Sequence, residues 1–172
     1  VFSLTAKDCE QVQRFANFIG LQSMHRYSIQ CSVSIKHSSI KDLMLKFGIN
    51  EKKTYNPPPQ FLAEGDLLIS LFIGLIDGDG CIKRFHNRKD SFIKIKCHSS
   101  WIEFYTDLSA RTSNILDGRI CPPRINNTGY MELCISDTKT LRALFLKCNE
   151  LHLPVLERKW SNIDPDYISK IE

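Results

Sequence analysis

Two aspartates separated by one glycine, Asp77 and Asp79, end an apolar stretch of this 172-residue sequence. Residues 71–80 read LFIGLIDGDG, and the apolar run predicts a helix that ends near Ile76. Carboxylates at the C-terminus of a helix lie where the backbone dipole is already negative, which is unfavourable unless a cation is present. We therefore expect a metal ion at this helix end, and hard carboxylate oxygens favour Mg2+.

The same residues also match the middle of an EF-hand calcium loop. That loop requires an acid two residues before Asp77 and another at its twelfth position. The chain has Leu75 and His86 there, which excludes the calcium loop. For Asp77 two interpretations stay open: a structural acceptor of backbone amides at the helix end, or a catalytic acid.

A segment rich in lysine and arginine follows the aspartates directly. Residues 81–100 contain six basic side chains against Asp90, although the net charge of the whole chain is only +4. Alternation over 91–98 predicts a strand with Ile93, Ile95 and Cys97 on one face. The other face is basic, which suits a polyanion such as nucleic acid. The candidate DNA contacts are Lys83, Arg84, His86, Arg88, Lys94, Lys96, His98 and, in a later strand, Arg124.

The two halves of the chain resemble each other. Residues 39–49 (SIKDLMLKFGI) align with 140–150 (TLRALFLKCNE), and an alternating strand precedes each, over 27–35 and 130–135. In the first half the apolar face of that strand is predicted to hold Ile29, Cys31, Val33 and Ile35. Its polar face is nearly uncharged, which suits readout of base edges. That face supplies the candidates Gln30, Ser32, Ser34 and Lys36.

The pattern of apolar residues and turns predicts an α+β protein built from a repeated unit. The second copy is predicted as helix 61–76, strands 81–86 and 92–98, helix 101–113, strands 119–125 and 130–135, and helix 139–151. The first copy lacks its opening helix and first strand and begins with a strand over 2–6. We expect an incomplete first half over 1–52, a proline-stiffened linker over 53–60 and a complete second half over 61–172.

Seven cysteines occur, and none forms a CxxC pair. This pattern favours free thiols in a reducing intracellular compartment over a disulfide framework or a zinc site. Because no apolar run approaches the roughly 18 residues of a membrane-spanning helix, we expect no membrane partner.

Residues 74–80, GLIDGDG, resemble the motif of the LAGLIDADG homing endonucleases, with Phe72 and Ile73 in its first two positions. The order of helices and strands after the motif agrees as well, so the resemblance covers essentially the whole chain. It implies two αββαββα units, joined as two chains or as halves of one chain, whose motif helices pack together. Gly74 is then a helix-contact residue, and saddle-shaped antiparallel sheets lie in the DNA major groove.

The resemblance also implies a function and residue roles. The function is cleavage of double-stranded DNA at a long specific site, as in intron or intein mobility. Asp79, the second acid of the motif, becomes a catalytic metal ligand, and the Gly78 carbonyl lies within reach of the same ion. A lysine after the last helix lies beside the scissile phosphate in that family, which identifies Lys159 and Lys53 as catalytic candidates. Since one motif copy is present, we expect its partner helix from a missing N-terminal segment or another chain.

Two other functions stay open on the sequence. A non-cleaving nucleic-acid-binding relative, such as an intron maturase or a transcription regulator, would keep the basic sheet without cleavage. A metal-binding structural domain would keep the acids alone.

Overall fold

The computed structural model describes residues 2–18, 20–21, 24–34, 38–46, 54–57, 63–84 and 91–163. The chain divides into two compact units, residues 1–46 and 47–172. Of the predicted linker over 53–60, only 54–57 lie within the described residues. None of the helices in the described ranges combines the length and the apolar character that crossing a membrane requires.

The first unit is a three-stranded antiparallel sheet with two helices. Its elements are β1 (Phe2–Thr5), α1 (Cys9–Phe18), β2 (His25–Arg26), β3 (Gln30–Val33) and α2 (Ser38–Lys46), and a short 3-10 turn over Ala6–Asp8 precedes α1. The strand order is β1-β3-β2, so β3 lies in the centre. The buried apolar residues of α1 and β3 form one small core.

Three expectations for this unit are wrong. The predicted strand over 27–35 begins later: β3 covers Gln30–Val33, and Ile29 lies exposed in the turn that joins it to β2. Ser32, expected on the polar face, is only 7% exposed, because its central strand is flanked on both sides. Cys9 and Cys31, expected as free thiols, form a disulfide with their Cα atoms 5.3 Å apart. The other five cysteines are free.

The second unit begins with the motif helix. Its elements are α3 (Gly65–Asp79), β4 (Gly80–Arg84), β5 (Ser91–His98), α4 (Ile102–Leu116), β6 (Arg124–Ile125), β7 (Tyr130–Ile135), α5 (Thr138–Glu150) and α6 (Glu157–Trp160), with a 3-10 turn over Ser99–Trp101 before α4. The sheet is antiparallel in the order β4-β5-β7-β6. Strand β6 is much shorter than the predicted 119–125, since Pro122 and Pro123 cannot donate to a strand ladder.

The predicted repeat is present in the topology. Strands β5, β7 and β6 follow one another in the same order as β1, β3 and β2, and a helix follows the first and the last strand of each set in sequence. The second unit adds α3 and β4 in front of this shared arrangement. The α+β class and the antiparallel sheets predicted from sequence are confirmed.

The core of the second unit lies between the apolar face of its sheet and the helices. Alternation in the strands buries Ile93 and Ile95 of β5 and Leu133 of β7 completely. Helix α3 is apolar over most of its surface, and one side of it joins this core. That side consists of Leu68, Ile69, Phe72, Ile73 and Ile76.

Helix α3 passes into strand β4 without a connecting loop, and Gly80 makes this possible. The helix extends to Asp79, three residues beyond the predicted end, and the Gly80 N–H donates to the Ile76 carbonyl. A Cβ at Gly80 would lie 2.6 Å from the Ile76 carbonyl oxygen and 2.8 Å from the Ile76 Cα. No side chain fits there, because both neighbouring atoms belong to the backbone.

Gly80→Ala is therefore expected to lower the free energy of unfolding by about 2 kcal/mol, the usual cost of forcing an extra carbon into packed structure. Gly78→Ala is the matched control, because a Cβ there meets nothing within 4 Å of it among the described residues. Alanine at that helical position should stabilise by about 0.5 kcal/mol. Urea denaturation of both variants measures the difference, and equal effects would contradict the proposed close approach.

Candidate active site

The two aspartates of the motif point to different surroundings. Both carboxylate oxygens of Asp77 accept hydrogen bonds from the segment around α6: Oδ2 from the Leu156 backbone N–H at 2.9 Å, and Oδ1 from Trp160 Nε1 at 2.8 Å. Burial raises the pKa of Asp77, and these two hydrogen bonds counteract part of that rise. The contacts favour the structural interpretation of Asp77, as an acceptor that fixes the helix end.

Lys159 closes the same helix end. Its Nζ donates to three backbone carbonyls: Ile76 at 3.2 Å, Asp77 at 2.5 Å and Gly80 at 2.7 Å. The last carbonyls of a helix have no partner within the helix and form the negative end of its dipole, so an ammonium group there is favourable. Lys159 was predicted as a catalytic group, and the structure places its ammonium on the backbone that carries both aspartates. Lys53, its predicted counterpart, lies outside the described residues.

Asp79 is exposed and lines a cleft of about 660 Å³. The other lining residues come from α3, β5, β7 and the 3-10 turn before α4, with part of the segment 54–57: Thr54, Tyr55, Leu75, Lys96, Cys97, His98, Trp101 and Tyr130. Burial, reinforced by the negative charge of Asp79, raises the pKa of the Cys97 thiol to about 12. Cys97 is therefore a neutral thiol at neutral pH, so it is not an anionic ligand beside Asp79.

Aromatic contacts form the wall of this cleft. Trp101 Nε1 donates to the Thr54 carbonyl at 3.0 Å, and the Tyr55 ring meets His98 edge-on with 4.8 Å between centroids. His98 Nδ1 accepts from the Ser100 backbone N–H at 3.2 Å. His98, predicted to contact DNA, thus caps the turn before α4 and holds the segment 54–57 beside the sheet. Lys96 Nζ lies 4.8 Å from the Tyr130 ring centroid, a cation–π contact.

The polar face of the sheet carries the predicted basic residues. Register places Lys94 opposite Cys134 and Lys96 opposite Glu132, across the β5–β7 pair. The predicted alternation is present, since the isoleucines of β5 are buried while Lys96 is exposed and Lys94 is half-buried. Lys83 of β4 is exposed as well.

Glu132 is a residue that the sequence reasoning missed. Its carboxylate forms an ion pair with Lys94 at 2.8 Å and another with Arg124 at 3.2 Å. Hydrogen bonding from Lys94 lowers the pKa of Glu132, and Arg124 contributes in the same direction. The alternation of residues 130–135 directs Glu132 to the basic face, so the signal is present in the sequence.

The other predicted residues are distributed as follows. Arg84 Nε donates to the Asn162 carbonyl at 3.1 Å, which ties the end of β4 to the segment after α6. In the first unit, Gln30 and Ser34 are exposed. The remaining predicted contacts, Lys36, His86 and Arg88, lie outside the described residues.

Gly74 and Gly78 lie on an exposed side of α3. A Cβ at either position would meet nothing within 4 Å in the described part of the chain. Leu67 is exposed too. Within the described ranges, no three His, Cys, Asp or Glu side chains come close enough to hold a metal ion. Asp79 thus offers one carboxylate, and Gly78 one exposed backbone position beside it.

The contacts of Lys159 lead to a stability prediction. Lys159→Met should lower the free energy of unfolding by about 2 kcal/mol, because hydrogen bonds from a charged donor contribute more than neutral ones and three carbonyls lose their partner. Lys139→Met is the control, since Lys139 pairs with Asp117 on the surface and such exposed pairs contribute little to stability. Thermal and urea unfolding compare the two variants. Similar losses would show that Lys159 is an ordinary surface lysine.

No family model matches the sequence, and no curated protein does. Solved structures do match. A double mutant of I-SmaMI aligns with 98% of this chain and 77% of its own, at a TM-score of 0.57 and 11% identity. I-SmaMI bound to an uncleaved DNA target in the presence of calcium ions aligns with 98% of this chain and 83% of its own, at a TM-score of 0.53 and 12% identity.

The homing endonuclease I-CvuI, in complex with its target in the presence of calcium, aligns with 57% of this chain at a TM-score of 0.40 and 22% identity. That alignment spans 62% of the I-CvuI chain, less than two thirds of its length. The two I-SmaMI structures cover nearly the whole sequence with TM-scores above 0.5. The chain has the fold of the LAGLIDADG-type homing endonucleases.

Proposed function

We propose that this protein is a homing-type endonuclease that binds double-stranded DNA and hydrolyses a phosphodiester bond in each strand of a long, specific site, with Mg2+ as cofactor. The observation that carries the proposal is the division of work between the two aspartates. Asp77 is engaged by Leu156 and Trp160, whereas Asp79 is exposed in a cleft beside a sheet face that carries lysines. A structural role would be served by Asp77 alone.

Gly78 and Asp79 are exposed at this helix end, and carboxylate and carbonyl oxygens are suitable ligands for a hard divalent cation. Asp79 and the Gly78 carbonyl would hold the ion, together with an acid from a second motif helix, which we place in a segment preceding this sequence or in another chain. Mg2+ would neutralise charge on the phosphate and lower the pKa of a bound water. The chain itself supplies orientation: Lys159 and Asp77 fix the helix end, so Asp79 keeps its direction into the cleft. I-SmaMI, which shares the fold, binds DNA in the presence of calcium ions.

The sheet supplies the proposed DNA surface. Lys83, Lys94 and Lys96 project from neighbouring strands, and Arg124 extends the row from β6. Lysine and arginine side chains on such a surface neutralise phosphates and also reach base edges. For Lys159 we propose a positioning role at the helix end, since its ammonium contacts three backbone carbonyls there.

The decisive variant is Asp79→Asn. In the natural protein, with any preceding segment, the wild type should cut members of a randomised duplex library in Mg2+. D79N should cut at least about 100-fold more slowly. Loss of a residue that only supports a metal ligand already lowers activity by up to about 100-fold, and Asp79 is proposed as a ligand itself. Its duplex affinity should stay within a few-fold. Asp107→Asn is the matched control, because it removes one exposed acid on α4 that pairs only weakly, with Arg111 at 3.3 Å.

Three outcomes would contradict this proposal. Wild-type protein that binds duplex DNA without cutting any library member would instead be a non-cleaving nucleic-acid-binding relative. Loss of binding and cutting together in D79N, with a lowered melting temperature, would make Asp79 a structural residue. Equal cutting by D79N and D107N would remove Asp79 from the active site altogether.

A further inference from the structure

Glu132 stands out as an acid in the middle of a face proposed to bind a polyanion. It lies in β7 between the buried residues Met131 and Leu133, so its side chain emerges on the opposite, basic face. Its side chain is only 10% exposed. An acid at the centre of a DNA-binding surface repels phosphate, so a purely electrostatic clamp would be stronger without it.

The geometry points to a role for this acid. We propose that Glu132 is a positioning residue that withholds Lys94 and Arg124 from phosphate and directs them to base edges, with guanine preferred. This proposal rests on the DNA-binding function proposed above and names the residue that would set its specificity.

The ion pairs support the first part of the proposal. One carboxylate engages both cations, Lys94 Nζ through Oε2 at 2.8 Å and Arg124 Nη2 through Oε1 at 3.2 Å. The Glu132 side chain is largely covered, and each of its two carboxylate oxygens meets one of the cations. To reach a phosphate, either cation must leave a carboxylate that is already close. A lysine or arginine side chain without such a partner is flexible and would bind the phosphates of DNA of any sequence.

The exposure of the two cations supports the second part. The Arg124 side chain is 76% exposed and touches Glu132 through Nη2, while the Lys94 side chain is 42% exposed. Each is therefore anchored at one point and still presents donors to the groove. Arginine and lysine donors match the O6 and N7 acceptors of guanine, and a fixed orientation makes that match selective. Register strengthens the arrangement, because Arg124 and Lys96 lie directly across from Glu132 on its two neighbouring strands.

The remaining lysine of this row is held differently. Lys96 lies over the Tyr130 ring rather than on the carboxylate. Removing the charge of Glu132 therefore releases Lys94 and Arg124 and leaves the cation–π contact of Lys96 in place.

The test is Glu132→Gln, which keeps the size of the side chain. A preferred duplex is first selected from a randomised library with the wild type in calcium, so that binding is measured apart from cleavage. Affinities for that duplex and for a scrambled one are then measured at several salt concentrations. The expected result for E132Q is tighter binding to the scrambled duplex, a fall of at least tenfold in the ratio of specific to non-specific affinity, and a salt slope steeper by about 1 to 2 for the two released cations.

A double-mutant cycle separates orientation from the loss of a negative charge. In a K94Q/R124Q background, E132Q has no cations to release, so the salt slope should not change. If E132Q raises affinity by the same factor in both backgrounds, the acid acts through its field alone and the proposal is wrong. Glu150→Gln serves as the control for charge, since Glu150 pairs with Lys147 on α5.

The outcomes distinguish this inference from the function on which it rests. Wild-type protein without affinity for any duplex would overturn both. Wild-type protein that binds a preferred duplex, with an E132Q variant that keeps the same specificity ratio and salt slope, would overturn the role of Glu132 and leave the proposed function standing. Melting temperatures of the variants show whether each is folded, and the K94Q/R124Q protein gives an independent measure of the two cations if E132Q does not fold. In that case, an unchanged guanine preference in K94Q/R124Q would overturn the proposal.

Discussion

The geometry of the candidate site depends on how the C-terminus of α3 is held. A helix end leaves carbonyls unpaired, and two acidic side chains next to them add to the same negative potential. Lys159 compensates this potential by donating to three backbone carbonyls there, and the Asp77 carboxylate accepts hydrogen bonds from two donors. With this end neutralised, Asp79 is exposed to the cleft. Asp77 is engaged in holding the helix end, while Asp79 remains exposed in the cleft.

The sheet shows a second balance of charges. Its apolar face buries Ile93, Ile95 and Leu133 completely, and its polar face carries lysines at the spacing that strand alternation dictates. Glu132 partly neutralises that charge at the centre of the sheet, because its carboxylate pairs with both Lys94 and Arg124. A face of this kind differs from a uniform basic patch, since part of its positive charge is already engaged within the protein.

Much of this arrangement was predictable, because it follows from local patterns. Alternation in 91–98 and the apolar run before Asp77 predicted β5 and α3, and the repeat predicted the shared topology of the two sheets. Helix α3 extended further than predicted, since glycine at 78 does not end a helix whose last turn is capped from outside by Lys159. The hairpin at Ile29 and the Cys9–Cys31 disulfide were missed because both depend on which segments of the chain become neighbours in space. The partners of Asp77 lie about eighty residues away in sequence, and no periodicity reports such a contact.

That separation has a consequence for how the protein is made. The residues that secure the end of α3 are 79 to 83 positions further along the chain than the residues they bind. At the 5–20 residues per second typical of translation, a ribosome needs at least about 4 s to make that stretch. During this interval the acidic helix end has neither its ammonium cap nor its indole and amide donors. The nascent chain therefore acquires a fixed Asp79 only once residues 156–160 have been made, after strands β4 to β7.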